Sequence, residues 1–150
     1  MKIYIFGGTS NTKKLVRSIT EFCGKKLLGN RLADNITIKI RLSNSLRKDS
    51  GLLGWCTPNT LRDFEVAADT AQSIEKILKT IAHEMTHIKQ FAKRELTNFQ
   101  RTPKWHGEEV NDSTVDYYDL PWEIEAHGRE EGLYNCWLDT KNLRKKDVKK

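Results

Sequence analysis

Ile74-Glu75-Lys76-Ile77-Leu78-Lys79-Thr80-Ile81-Ala82-His83-Glu84-Met85-Thr86-His87-Ile88-Lys89-Gln90-Phe91-Ala92 is the stretch on which the reading of this chain turns. Its apolar residues Ile74, Ile77, Leu78, Ile81, Met85, Ile88 and Ala92 recur at steps of three and four, the mark of an amphipathic helix that buries one stripe. At about 100° per residue, His83 and His87 fall roughly opposite the centre of that stripe, and Glu84 lies between the two faces. Two imidazoles four residues apart on a helix point the same way, so both can grip one metal ion. A glutamate directly after the first histidine stands beside that ion, where it can take a proton from a bound water. Core packing does not require the pair, because Ile, Leu and Met already fill the stripe. A solvated face would accept any polar residue. The expectation is a helix from about Thr70 to Leu96, with His83 and His87 as metal ligands and Glu84 as general base.

The rest of the composition suits one soluble domain. The chain has 150 residues, 37% of them hydrophobic and 31% charged, enough to enclose a core. No run approaches the ~18 apolar residues of a membrane span. Met1 to Phe6 is too short for the core of a signal peptide. Cys23, Cys56 and Cys136 are odd in number and widely spaced, with no C-x-x-C. That spacing argues against a disulfide framework or zinc ribbon and for a reducing compartment, so the expected location is cytoplasmic.

The net charge of +6 is unevenly distributed. Residues 1–48 carry eleven Lys and Arg against Glu21 and Asp34, residues 49–140 carry nine bases against seventeen acids, and residues 141–150 carry six bases against Asp147. The basic N-terminal third and the basic tail are where nucleic acid or another polyanion would dock. Solvated, lysine-rich segments of this kind need no such partner, and no nucleic-acid motif accompanies them. The expected organisation is a single domain over residues 1–140 followed by a basic tail over 141–150.

The remaining elements follow from local patterns. Ile3 to Phe6 reads as a short strand or an extended arm ended by Gly7-Gly8. Gly7 to Lys14 does not meet G-x-x-x-x-G-K-[ST] and reads as a turn, with Ser10 or Asn11 capping a helix. Leu15, Val16, Ile19, Phe22 and Cys23 mark that helix, which extends towards Leu27-Leu28. Ile36, Ile38, Ile40 and Leu42 alternate with polar residues as a half-buried strand. Leu52 to Thr57 and Phe64 to Ala68 are two further strands. Thr97 to Leu120 reads as polar loop. Pro121 suits the first turn of a last helix, Trp122 to about Leu138. Trp55, Trp105, Trp122 and Trp137 are read as core or core-edge residues.

This order of elements, with His83-Glu84-Met85-Thr86-His87-Ile88-Lys89-Gln90 and Tyr117-Tyr118-Asp119-Leu120-Pro121-Trp122-Glu123-Ile124-Glu125-Ala126-His127-Gly128-Arg129-Glu130, resembles SprT-like zincin metallopeptidases and small phage- and bacteria-encoded proteins related to them. The resemblance implies an α+β fold: a minimal zincin-like core of N-terminal helix, three-stranded sheet, motif helix, and a C-terminal helix supplying the third ligand. It also implies a zinc-dependent peptidase acting on a protein or peptide substrate, located in the host cytoplasm if phage-encoded.

Catalytic zinc usually takes three protein ligands and keeps one position for water. In glutamate zincins the third ligand commonly stands three residues before a small residue on a following helix. Glu123-Ile124-Glu125-Ala126 matches, so Glu123 is the expected ligand beside His83 and His87. Glu125 should point elsewhere. SprT-like proteins instead take a histidine from a His-Gly-x-x-Phe string, and Trp105-His106-Gly107-Glu108-Glu109-Val110 resembles it, so His106 stands as the alternative. His127, one turn beyond Glu123, is read as exposed or as a support to the ligands. Tyr117, Tyr118 and His106 are candidates for steadying an oxyanion. The zincin pattern makes the strand Phe64 to Ala68 the edge that receives a peptide. Two other readings remain: a catalytically silent zinc-binding module, and a nucleic-acid-associated protein, whether phage accessory or virion component.

Overall fold

The computed structural model describes residues 1–141, so the basic tail read at residues 141–150 lies outside the described residues except for Lys141. The fold is α+β. Its main sheet has four strands in the order β1-β2-β4-β3, with β1 Lys2–Gly7, β2 Thr37–Ser43, β3 Gly54–Pro58 and β4 Asp63–Asp69. β1, β2 and β4 run parallel, and β3 returns antiparallel along β4. The expected three strands are therefore joined by a fourth, because Lys2 to Gly7 pairs along its whole length with β2 rather than trailing as an arm.

One face of the sheet is apolar. Ile3, Ile38, Ile40, Leu42, Phe64, Val66 and Ala68 are all buried and share one core with two helices, α1 (Ser10–Leu28) and α4 (Ile74–Ala92). α1 is capped by Thr9, one residue before Ser10, the nearer of the two caps read from the sequence. The Thr9 hydroxyl accepts from the Thr12 N–H at 3.1 Å, satisfying a donor that has no intrahelical partner. Between β2 and β3 lies the short helix α3 (Leu46–Ser50), and α2 (Asn30–Ala33) follows α1.

α4 keeps to the span of its apolar periodicity, Ile74–Ala92, and is shorter at both ends than the expected Thr70 to Leu96. Asp69 accepts from the Ala71 and Arg47 backbone N–H groups, which holds the preceding loop, and Ser73 then caps the helix at the Lys76 N–H. At the other end Arg94 turns the chain away with φ of 59°. The last helix, α5 (Pro121–Thr140), packs against the side of α4 that faces away from the sheet. With sheet on one side and α5 on the other, every residue from Ile81 to Ala92 is buried. The polar face of α4 is thus an interior seam, and each of its polar groups requires a partner there.

The segment read as polar loop contains a small antiparallel sheet: β5 Leu96–Thr97, β6 Lys104–Trp105 and β7 Glu108–Glu109. His106 and Gly107 form its tight turn with φ of 48° and 88°, the left-handed pair that suits a two-residue hairpin. Trp122 and Trp137 are buried, and the Trp137 indole donates to the Ser18 hydroxyl at 3.1 Å. Trp55 and Trp105 are half-buried. Trp55 pairs across from Ala67 on the face of the sheet opposite the core, half-buried on an edge strand rather than interior.

Candidate metal centre

His83 and His87 leave α4 on successive turns with their Nε2 atoms 3.1 Å apart. Pro121 starts α5, and the third residue of that helix, Glu123, enters the seam beside them. Its Oε2 lies 3.3 Å from His83 Nε2 and its Oε1 lies 3.4 Å from His87 Nε2. Ala126 is fully buried one turn on, so a small side chain stands where α5 meets α4. Ligands ~2.0–2.1 Å from a common tetrahedral ion are about 3.4 Å from one another, and these three donors have that spacing. His83, His87 and Glu123 could hold one divalent cation.

The donor chemistry supports this fit. Gln90 Nε2 donates to the Trp122 carbonyl at 2.9 Å and to Glu125 Oε2 at 3.0 Å, so its Oε1 is an acceptor. That oxygen receives the His87 Nδ1 proton at 2.8 Å. Glu130 Oε2 accepts from His83 Nδ1 at 2.9 Å. Both rings are thereby held in the tautomer that leaves an Nε2 lone pair for the centre, the usual outer support of a metal-binding histidine. Glu125 turns away from the cluster. It receives Lys89 at 2.6 Å and Arg129 at 2.8 Å, anchoring Gln90 from behind. Tyr117 donates its hydroxyl to Glu123 Oε2 at 2.6 Å.

Without a cation the same cluster holds a proton. Burial disfavours a charged His83, but hydrogen bonds to Glu123 and Glu130 outweigh it and push the imidazole up to about 9. Burial would raise Glu123, yet its bonds from His83 and His87 hold the carboxyl well below the usual range. Burial raises the Tyr117 hydroxyl, and its bond to Glu123 raises it further.

Glu84 is 4% exposed and carries a carboxyl that burial lifts to about 7, against the pull of His87 and His83. It faces β3. A Cβ built on Gly54 would stand 2.8 Å from Glu84 Oε1, 2.5 Å from Thr80 Cγ2 and 3.1 Å from the Ala67 carbonyl, so only glycine lets strand and helix meet so closely here. Two adjoining cavities open beside the cluster. One of about 410 Å³ reaches Leu53, Tyr118 and His127, and one of about 300 Å³ reaches Phe91, Phe99 and Trp122. Glu84, His83, Tyr117 and Gly54 line both, so a single cleft follows β3 across the centre.

Two expectations need correction. The strand Phe64 to Ala68 is interior, since β4 is paired on both sides, and the edge beside the cluster is β3. His106 stays outside the cluster. It is exposed on the hairpin turn, with its ring against Trp105 at 4.7 Å between centroids, which removes it as a third ligand or oxyanion donor in this arrangement. His127 is largely exposed, yet its ring lies 4.4 Å from that of His83, and its Nδ1 is 3.4 Å from Glu130 Oε2. His83, His127 and Glu130 form a second, more open group that shares His83 with the first. Sequence reasoning missed Gln90, Glu130 and Gly54. A glycine within a strand pattern was a legible sign of close backbone approach, whereas the roles of Gln90 and Glu130 emerge only from the packing of α5 on α4.

Compared with family models, with curated proteins and with solved structures, the chain matches none.

Proposed function

We propose that this chain is a zinc-dependent metallopeptidase with a zincin-like core, akin to the SprT-like proteins its motifs resemble. The observation that carries the reading is the triangle of His83 Nε2, His87 Nε2 and the Glu123 carboxylate, with Glu84 buried beside it and an unpaired strand edge along it. A purely structural site would close its fourth position and would have no use for an adjacent carboxylate.

Zinc held by these three residues would supply Lewis acidity and a bound water whose pKa is lowered towards ~7. The chain's own residues do the rest. The free edge of β3 can pair with an extended substrate backbone, laying a scissile carbonyl across the cleft. Glu84, buried beside the centre, would accept the water's proton and pass it to the departing amine. Tyr117 holds Glu123 in place through its hydroxyl. Gln90 and Glu130 keep the two imidazoles in register.

The test pairs metal content with hydrolysis of an unfolded protein substrate. Wild type should hold about one zinc per chain, and Glu84→Gln should retain it while losing turnover. Glu123→Ala should lose the metal, and His106→Ala should keep it. Equal cleavage by wild type and Glu84→Gln would end the proposal.

A further inference from the structure

The face of the main sheet opposite the helices is open and patterned. Its rows, in register across the strands, are Tyr4, Lys39, Glu65 and Thr57, then Phe6, Arg41, Ala67 and Trp55. Lys2 lies across from Thr37 below them. Tyr4 is 50% and Phe6 58% exposed, large rings on a surface where a solvated sheet would carry polar side chains. Each ring on β1 stands beside a cation on β2: Tyr4 by Lys39, and Phe6 by Arg41. Between these rows lies a shallow depression of about 100 Å³ bounded by Phe6, Lys39, Arg41, Trp55, Glu65 and Val66.

We propose that this face binds single-stranded nucleic acid, with bases stacked on Tyr4, Phe6 and Trp55 and phosphates met by Lys2, Lys39 and Arg41. Charge complementarity selects the occupant. Among the described residues Arg41 and Lys2 have no ion-pair partner, so both charges are free for an anion. The acids on the face lie towards β3: Glu65 accepts from Asn59 at 3.3 Å, and Asp63 is 4.0 Å from Lys39, a long, exposed pair that a phosphate can displace. A polyanion would therefore run over β1 and β2. Aromatic rings alternating with cations on a sheet serve bases and phosphates together, since every base has a stackable face. Tyr4 and Phe6 are two residues apart on one strand, about 6.6 Å, or roughly twice the 3.4 Å step of a stacked duplex strand. Bases reaching both rings must be splayed apart, which a single strand allows and a duplex forbids.

The experiment is anisotropy of labelled oligothymidylate and oligouridylate with the full chain over a salt series. Three phosphate contacts predict a slope of log K against log salt of about −2, and Arg41→Gln should flatten it by about 0.7. Tyr4→Ala with Phe6→Ala should weaken binding about tenfold or more. Tyr4→Leu with Phe6→Leu keeps apolar area without rings and should weaken it as much. Circular dichroism on each variant establishes that the exposed substitutions leave the fold intact. No binding at low salt would overturn the proposal, as would duplex bound as tightly as single strand. So would anionic vesicles bound in place of oligonucleotide. Binding indifferent to the ring substitutions but lost on changing Lys141, Arg144, Lys145, Lys146, Lys149 and Lys150 to Gln would assign it to the tail and equally overturn it.

Discussion

Gln90 reaches back one turn along α4 to His87, accepting the Nδ1 proton at 2.8 Å while its own amide is tied to the Trp122 carbonyl and to Glu125. Its side chain is fully buried, so the amide cannot turn over without breaking two bonds. One residue thus couples the start of α5, where Glu123 stands, to the tautomer of His87. Gln90→Ala should lower zinc affinity by about 10- to 100-fold, the usual cost of losing an outer partner of a metal-bound histidine. Competition against a chromogenic chelator measures it. Unchanged affinity would mean the His87 ring needs no such anchor.

The close approach of β3 to Glu84 gives a second prediction. In Gly54→Ala the new methyl meets the Ala67 carbonyl, which the sheet holds fixed, and so displaces Thr80 and Glu84 instead. Overpacking of this kind costs about 1–3 kcal/mol, read as a fall in thermal midpoint. The zinc should remain, because none of the three donors is touched. Turnover should fall roughly tenfold or more as Glu84 leaves its position, a fraction of what a general base contributes. Full turnover in a folded Gly54→Ala protein would show that Glu84 need not sit against this strand.

Much of this arrangement was legible because it is local. The three-and-four spacing from Ile74 to Ala92 encodes a helix, and Pro121 marks the start of α5, since both signals act within a few residues. The order of strands is a different matter. Nothing within Phe64 to Ala68 states which neighbours it will have, because its partners on either edge, β2 and β3, are chosen by pairing with segments elsewhere in the chain. Strands of two residues, such as Leu96–Thr97, are too short to display a period. The partners of the polar residues of α4 were not legible, because α5 is distant in sequence. Only docking turns His83, Gln90 and Lys89 into a buried network, with Lys89 held between Glu95 and Glu125 at 2.6 Å each.

Tyr117 supplies a third prediction. It is 51% exposed, yet its hydroxyl bonds Glu123 at 2.6 Å. Tyr117→Phe keeps the ring and removes only that bond, so the fold should be unaffected. The Glu123 carboxylate would be held less firmly, and zinc affinity should drop about tenfold, as for other outer contacts. Chelator competition on folded protein reads this directly. Equal affinity would show that the two imidazoles alone orient Glu123.

Acidity gives the last prediction, and its sign follows from three groups. Glu84 rises from 4.5 to about 7 and His83 from 6.5 to about 9 on folding. Across those intervals the folded state binds more protons than the unfolded chain, so stability of metal-free protein falls as pH rises. The His83 contribution is complete below about 6.5 and lost as pH passes about 9; that of Glu84 is complete below about 4.5 and lost through about 7. Glu123 is lowered, so its contribution is present above 4.5 and is lost as pH falls further. Metal-free protein should therefore melt at progressively lower temperature from pH 6 to pH 9. Zinc displaces the His83 proton, so its apparent affinity should climb about tenfold per pH unit over the same range. The loaded protein should accordingly lose less of its thermal midpoint, or none. Parallel melting curves of chelator-treated and zinc-loaded samples decide the matter, and a metal-free midpoint that rose towards pH 9 would contradict a proton shared between His83 and Glu123.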